Sequence, residues 1–462
     1  RASKHTVDPL DFSGSWRLRV EGWDWFEGGA GNGSYAFPHS LLLLAVGQKR
    51  ENFDWRIEAA QDAILLLPRD AVVPGPEGQL GLGGTYYAAN GNGRNNVNAF
   101  VKQAYVRIHH LGRGDLQMGR FEFLDGTETK PKDATLATLV ETRIAQRLIG
   151  NFGWSAVGRS YDGARFDYHL GAADLTLFAA RPTRGVFQID GMGEVDVDVY
   201  YGSLTWPTQA KKQSSELRVF GLGYIDHRTS VLKTDNRTQA ERAADHGEIQ
   251  IGTVGADYLH VFNTRASGKF DLLLWGAVQT GAWGQLTQRA GAFVGGFGWQ
   301  PPVENLKPWL SAGYSYGSGD GNAADSVHGT FFQVLPTPRP YARVPFYDME
   351  NNEDFYGSIS LHPGSKLSVR SEVHALRLAN QADLWYLGGG AFQPRTFGYV
   401  GRPSNGNRSL ANVWDLSADY KMTHSLAITL YYGHAWGKSV IASIYPNDQN
   451  GQFAYVETNI HF

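Results

Sequence analysis

Apolar and polar residues alternate with a period of two along most of the chain. In "FSGSWRLRVEGW", Trp16, Leu18 and Val20 share one parity, and Arg17, Arg19 and Glu21 the other. "FDWRIEAA" sets Phe53, Trp55 and Ile57 against Asp54, Arg56 and Glu58. "GARFDYH" sets Ala164, Phe166 and Tyr168 against Arg165, Asp167 and His169. "KLSVRSEVHAL" sets Leu367, Val369 and Val373 against Arg370, Glu372 and His374. Side chains of a strand point alternately to opposite faces, so each stretch predicts a strand with one oily and one charged face. The pattern predicts about eighteen such strands. They fall near 12–26, 37–49, 53–64, 98–110, 115–123, 159–170, 173–182, 194–206, 215–227, 247–262, 269–283, 285–300, 307–317, 354–362, 366–378, 410–421, 425–437 and 452–462. Helical periodicity is nearly absent. Its one candidate is a short helix within Lys132–Leu148, inside a longer connection.

The connections carry the next signal. Short turns ("RENF", "LGRG", "GAAD", "HPGSK", "MTHS") alternate with long segments at 65–97, 124–158, 228–246, 318–353, 379–409 and 438–451. The connection after the eleventh strand is an exception. A soluble sandwich has no reason to keep such an alternation, whereas a transmembrane barrel has long loops outside and short periplasmic turns. An open sheet edge in lipid leaves backbone N–H and C=O groups unsatisfied, which forces closure. The fold class expected is therefore all-β: a transmembrane antiparallel β-barrel of about 18 strands. It forms one domain over residues 1–462, with both termini periplasmic. A barrel that wide has more lumen than its wall side chains fill, so something must plug or narrow it. A large soluble β-sandwich or β-helix is the competing reading. The final stretch "FAYVETNIHF" weighs against it, because it alternates up to Phe462 and looks like the C-terminal targeting strand of bacterial outer-membrane proteins.

Composition narrows the classes further. Charged residues are 19%, aromatics 13%, and glycine occurs 56 times. The longest apolar run, Leu41–Val46, is far too short to cross a bilayer as a helix. Net charge is −3, which gives no bulk attraction to nucleic acid. Without cysteine, disulfides and thiolate metal sites are excluded.

With lipid outside, the charged parity must face the lumen, since Arg on the lipid face costs about 2–4 kcal/mol at the midplane. This assigns Arg17, Arg19, Glu21, Arg56, Glu58, Arg165, Asp167, Arg218, Arg370 and Glu372 to the interior, with Arg120 placed less securely. Two roles compete for them. Arg–carboxylate pairs brace a polar wall, while unpaired arginines form an anion-selective zone. No catalytic constellation emerges: there is no HExxH and no GxSxG, so an enzyme is not expected. No cofactor or metal is expected either. "GSGDGNAAD" resembles a Ca²⁺ loop only loosely, at Asp320 or Asp325, and a polar surface loop is the favoured reading. His109 and His110 fall at a turn and read as solvated.

"MGRFEF … QRLIGNFGWSAVGRSYDGARF", "GYSYGSGDGN … GTFFQVLPT" and "DMENNEDFYGSISLHPGSKLSVRSEVHALRLAN" together resemble the alginate export family of outer-membrane proteins. The resemblance covers most of the chain. It implies an 18-stranded barrel in the bacterial outer membrane. It also implies an arginine-rich constriction passing a uronic-acid polymer outward, and a long periplasmic turn that occludes the pore. Carried over by motif, Arg120, Arg147, Arg159, Asp162 and Arg165 become central pore candidates, joined by Arg17, Arg19, Glu21, Arg370 and Glu372. Asp162 falls on the oily parity and is expected at the rim. Two departures stand out. An insertion, "DGTETKPKDATLATLVETRIA", separates Arg120 from Arg147. The proline-rich "PTPRPYARVPFYD" brings Arg339 and Arg343 within reach of the lumen as a lid. The longest periplasmic turn read is Pro207–Ser214, which puts a periplasmic occluding turn in doubt.

The function expected is a channel for an anionic polysaccharide, alginate-like polyuronate or related anions. The alternative is an uptake porin for small anions or sugar acids. Its other partners would be outer-membrane lipid and lipopolysaccharide, and periplasmic export proteins.

Overall fold

The computed structural model describes residues 10–462, apart from 211, 265, 388–391, 394–395 and 398–399. Eighteen long strands of the described residues form one sheet closed on itself. They are β1 (Asp11–Asp24), β2 (Ser34–Lys49), β3 (Phe53–Ile64), β4 (Asn96–Ile108), β5 (Gly114–Phe121), β6 (Tyr161–His169), β7 (Asp174–Pro182), β8 (Val197–Ala210) and β9 (Gln213–Asp226). The second half comprises β10 (Ile249–Thr264), β11 (Gly268–Trp283), β12 (Leu286–Gln300), β13 (Trp309–Gly317), β14 (Asn352–Leu361), β15 (Leu367–Leu378), β16 (Ser409–Lys421), β17 (Leu426–Gly437) and β18 (Asn450–His461). Each pairs antiparallel with the next. β18 returns to β1 in a register running from Ser15↔His461 to Asp24↔Gln452. The residue before Phe462 thus pairs with the first strand, and no edge of the sheet is left open.

The two parities have opposite surroundings. Val254 and Val278 are 66% and 65% exposed on the outer face. Val456 and Leu430 are also exposed there, while Trp275, Tyr431 and Tyr455 are buried inside. A closed barrel with an apolar exterior and a polar, filled interior is built to span a bilayer.

One end carries the connections 50–52, 109–113, 170–173, 211–212, 265–267, 301–308, 362–366 and 422–425. The longest of these is 301–308 and not Pro207–Ser214, because β8 and β9 run on to Ala210 and Gln213. The other end carries the long connections, with the two-residue turn 284–285 as the exception after β11. Two of the long connections, 122–160 and 318–351, do not project outward. They fold into the lumen and dock on each other through the backbone bonds Gly150 N–H to Leu335 O and Leu335 N–H to Leu148 O.

The helical segment expected within Lys132–Leu148 is the short helix Ala134–Leu139, capped by the Asp133 carboxylate on the amides of Thr135 and Leu136, and continued by a π-helical turn over Val140–Ile144. A second helix, Leu82–Ala89, has no amphipathic pattern to announce it. Its glycines serve close approach: a Cβ on Gly84 would lie 2.2 Å from the Ala71 carbonyl oxygen.

Candidate functional site

The two inserted connections meet the wall strands around a cavity of about 440 Å³ lined by Trp154, Arg339, Arg343, Asp419, Tyr455 and Glu457. Arginines dominate its surroundings, and they divide by what holds them.

One group is neutralised. Arg19 donates to Glu457 (2.6 Å) and Glu21 (3.2 Å) and is 2% exposed. Glu21 is fully buried and also receives His39 Nε2 at 3.0 Å. Arg56 pairs with Glu58 at 2.6 Å. Arg165 pairs with Asp167, which also receives Arg107 and the Thr176 hydroxyl. Arg370 and Arg143 both pair with Glu372. Arg218 lies between Asp257 and Glu128. In the buried pairs of Arg19, Arg218 and Glu372 the charges stabilise each other, and removing either partner leaves the other uncompensated.

The second group has no carboxylate within 4.0 Å among the described residues: Arg17, Arg147, Arg339 and Arg343. Arg17 donates to the carbonyls of Gly153 (2.5 Å) and Ser155. Arg147 donates to the Arg143 carbonyl at 2.7 Å and lies 5.1 Å from the Tyr341 ring centre. Arg339 donates to the Tyr455 hydroxyl (2.9 Å) and sits over Trp154 (4.3 Å) and Tyr431 (5.0 Å). Arg343 donates to Ser417 Oγ at 2.7 Å. Aromatic faces, hydroxyls and carbonyls hold these guanidiniums in place without cancelling their charge.

The positions picked from the pattern therefore separate. Arg17, Arg19, Glu21, Arg56, Glu58, Arg165, Asp167, Arg370 and Glu372 lie on the inward parity. Arg147 and Arg159 are buried within the inserted 122–160 connection. Arg120 and Asp162 do not line the pore. They face each other in register on the outward parity shared by Met118 and Ala164, joined by bonds of 2.7 and 2.6 Å, with the Met192 carbonyl on Arg120. Strands β5 and β6 end there, so the pair closes the rim of the wall. His109 is not simply solvated, since it bridges Asp54 (3.0 Å) and Asp115 (3.2 Å).

Pattern reading passed over Arg143, Trp154, Tyr431, Tyr455 and Glu457. Tyr455 and Glu457 alternate with Val456 on the polar parity of the last strand, which was a usable signal. Trp154 and Arg143 lie in a connection, where no periodicity marks an inward side chain.

Metal ligation has one geometric candidate among the described residues. Ligand atoms of Glu372, His374 and Asp415 lie within 4.8 Å of one another. Both oxygens of Glu372 are already held by the guanidiniums of Arg143 and Arg370, so a metal ion would have to displace them. Asp320 and Asp325 are spent on loop turns: Asp320 accepts the Asn322 amide and Asp325 the Val327 amide.

The closed barrel, its apolar belt and its arginine-lined interior define a channel protein of the outer-membrane β-barrel class. The alginate export family model matches residues 87–437, and the chain belongs to that family. Solved structures of the same fold include OccK9 (OpdG) of Pseudomonas aeruginosa, with TM-score 0.59, 10% identity and 98% of both chains covered. Acinetobacter baumannii OccAB2 matches with TM-score 0.58, 8% identity and 98% of both chains covered. Pseudomonas aeruginosa OpdK with vanillate matches with TM-score 0.55, 9% identity and 98% of both chains covered. No curated protein matches in sequence. Family and fold place the protein in the bacterial outer membrane as a channel, with the short turns on the periplasmic side.

Proposed function

We propose that the channel passes carboxylate-bearing sugars, with uronate units moving along the arginines of the inserted connections. The observation that carries this is the set of four guanidiniums, Arg17, Arg147, Arg339 and Arg343, held by carbonyls, hydroxyls and aromatic faces rather than by carboxylates. Of these, Arg339 and Arg343 line the cavity and keep N–H donors and net charge for a passing anion, while Arg17 and Arg147 add charge from behind it; a guanidinium meets a carboxylate in its own plane. Asp419 and Glu457 on the same cavity offer acceptors for sugar hydroxyls. Family membership supports a polyuronate as cargo.

A second reading, uptake of small sugar acids, is favoured by the cavity itself. About 440 Å³ between two inserted connections is the size of a small-ligand pocket. OpdK, a barrel of the same fold, was solved with vanillate, another carboxylate. Lipid around the apolar belt, lipopolysaccharide at the outer rim and periplasmic export proteins would complete the assembly.

Planar-bilayer recording under a salt gradient tests the proposal. An anion-selective reversal potential, with current blocked by polyuronate, supports export of polymer. Block by monomeric glucuronate alone supports the second reading. A cation-selective current refutes both.

A further inference from the structure

The resemblance to the family led to an occluding turn at the periplasmic end, and the short connections there provide none. We propose that residues 126–145, entering from the opposite end, are a hinged strap that closes the periplasmic half of the lumen and is released when a carboxylated solute takes Arg143 from Glu372. The trigger rests on the anion reading above; the strap does not.

The base of the strap is a clamp made by one residue. Asp125 accepts the amides of Leu148 (3.1 Å) and Ile149 (2.8 Å) on its carboxylate, and its carbonyl accepts the Gln146 amide at 3.0 Å. The chain leaves and returns at the same point, as in an Ω-loop. Gln146 closes the return with φ +66°.

Between these ends the strap crosses the lumen. The Glu128 carboxylate accepts from Arg218 of β9 (3.3 Å) and from the Tyr201 hydroxyl of β8. Thr129 donates to Glu216 at 3.2 Å. Thr135 meets Gln300 at the periplasmic end of β12, 3.2 Å from its side-chain amide. On the far wall, Arg143 pairs with Glu372 of β15 and lies 4.4 Å from the Tyr356 ring centre on β14. Next to the strap a cavity of about 570 Å³ opens among Arg113, Lys130, Asp133, His169 and Ser214, near the periplasmic turns.

These wall attachments run through side chains. The backbone bonds of 126–145 outside regular structure are local or go to its own base. The strap can therefore swing without breaking a barrel ladder. Burial of Leu136, Leu139, Val140 and Ile144 favours the closed position, so opening needs an input. Arg143 is the place for it. Its Nη1 is buried with no hydrogen-bond partner among the described residues, and Glu372 already has a second guanidinium in Arg370. A solute carboxylate on Arg143 leaves Glu372 paired with Arg370, so the exchange strands no charge.

The chain has no cysteine, so an engineered pair is unambiguous. T135C/Q300C is bridged by a reducible bis-methanethiosulfonate reagent and recorded in planar bilayers with and without sodium glucuronate. Folding is checked by the heat-dependent gel shift of an intact barrel. Glucuronate is expected to raise the open fraction of the unbridged channel by at least about threefold. The bridge should abolish that rise and reductant restore it. A channel lacking 127–144, joined by a short glycine link across the Asp125 clamp, should conduct several-fold more than the parent without glucuronate. Equal currents in the bridged, reduced and shortened channels overturn the strap. A larger current in the shortened channel with cation selectivity upholds the strap but refutes both the trigger and the anion reading. Anion selectivity indifferent to the bridge and to the deletion upholds that reading and refutes the strap.

Discussion

Arg339→Met removes one uncompensated charge from the cavity wall while keeping an unbranched stem among Trp154, Tyr431 and Tyr455. For an anion about 6 Å from the guanidinium, Coulomb's law gives about 0.7 kcal/mol at the dielectric of water and about 2.8 kcal/mol at an effective value near 20. Every 1.4 kcal/mol is tenfold in occupancy, so the loss is about threefold at the wet limit and about a hundredfold at the dry one. Because Arg339 is 8% exposed, the true environment lies between these limits. The assay is the reversal potential under a tenfold salt gradient, with polyuronate block as a second readout. Arg339→Met should lower the anion-to-cation permeability ratio by at least about threefold, and Arg339→Glu should lower it further. Permeation of a neutral sugar, read by liposome swelling, should not fall, because the side chain is no larger. A folded R339M channel with an unchanged reversal potential would refute the idea that this arginine sets selectivity. Arg19→Met serves as the contrast. Its charge is already answered by Glu457 and Glu21, so its loss should appear first as instability.

Other expectations follow from the same contrasts. Arg120→Ala breaks a bidentate pair on the outward rim and should cost about 1.5–3 kcal/mol in urea unfolding, with no change in ion selectivity. Val254→Arg places a charge on the lipid face near the middle of β10 and should destabilise the barrel by about 2–4 kcal/mol, read by the same assay. At the outer rim, hydrogen bonds to Asp198 and Glu248 hold the His227 imidazolium above the usual histidine range. A raised folded pKa gives stability that is complete below about 6.5 and is lost as pH rises through the folded value. The parent should therefore lose more thermal stability between pH 5.5 and 8.5 than His227→Gln.

The strands were legible because period two leaves little freedom. Once Leu18 and Val20 face lipid, Arg17, Arg19 and Glu21 must face inward, and the structure has them there. The same rule exposes where motif and pattern conflict. Arg120 shares parity with Leu116 and Met118, yet its charge and the family motif both led to a place in the pore. The outward placement is the one observed. Connections were legible only in length. Nothing in "GNFGWSAVGR" says that Trp154 will underlie two guanidiniums, or that the 122–160 segment will turn into the lumen. That direction comes from pairing with 318–351, a contact between segments about 185 residues apart that no local periodicity encodes.

The division among the arginines has a physical reason. A guanidinium paired with a carboxylate offers a passing anion almost no net charge, yet one left bare in a protein interior pays for its lost hydration. Arg339 and Arg147 escape the choice, because ring faces and carbonyl or hydroxyl oxygens replace water around the cation without neutralising it. The carboxylate-paired arginines then serve as wall, and those without a carboxylate as site. Both inserted connections contribute to the second set, Arg147 from one and Arg339 and Arg343 from the other. Selectivity is therefore placed mostly on the segments that fill the lumen, with Arg17 added from β1, and the barrel wall supplies the aromatic and hydroxyl partners Tyr431, Tyr455 and Ser417 that hold Arg339 and Arg343.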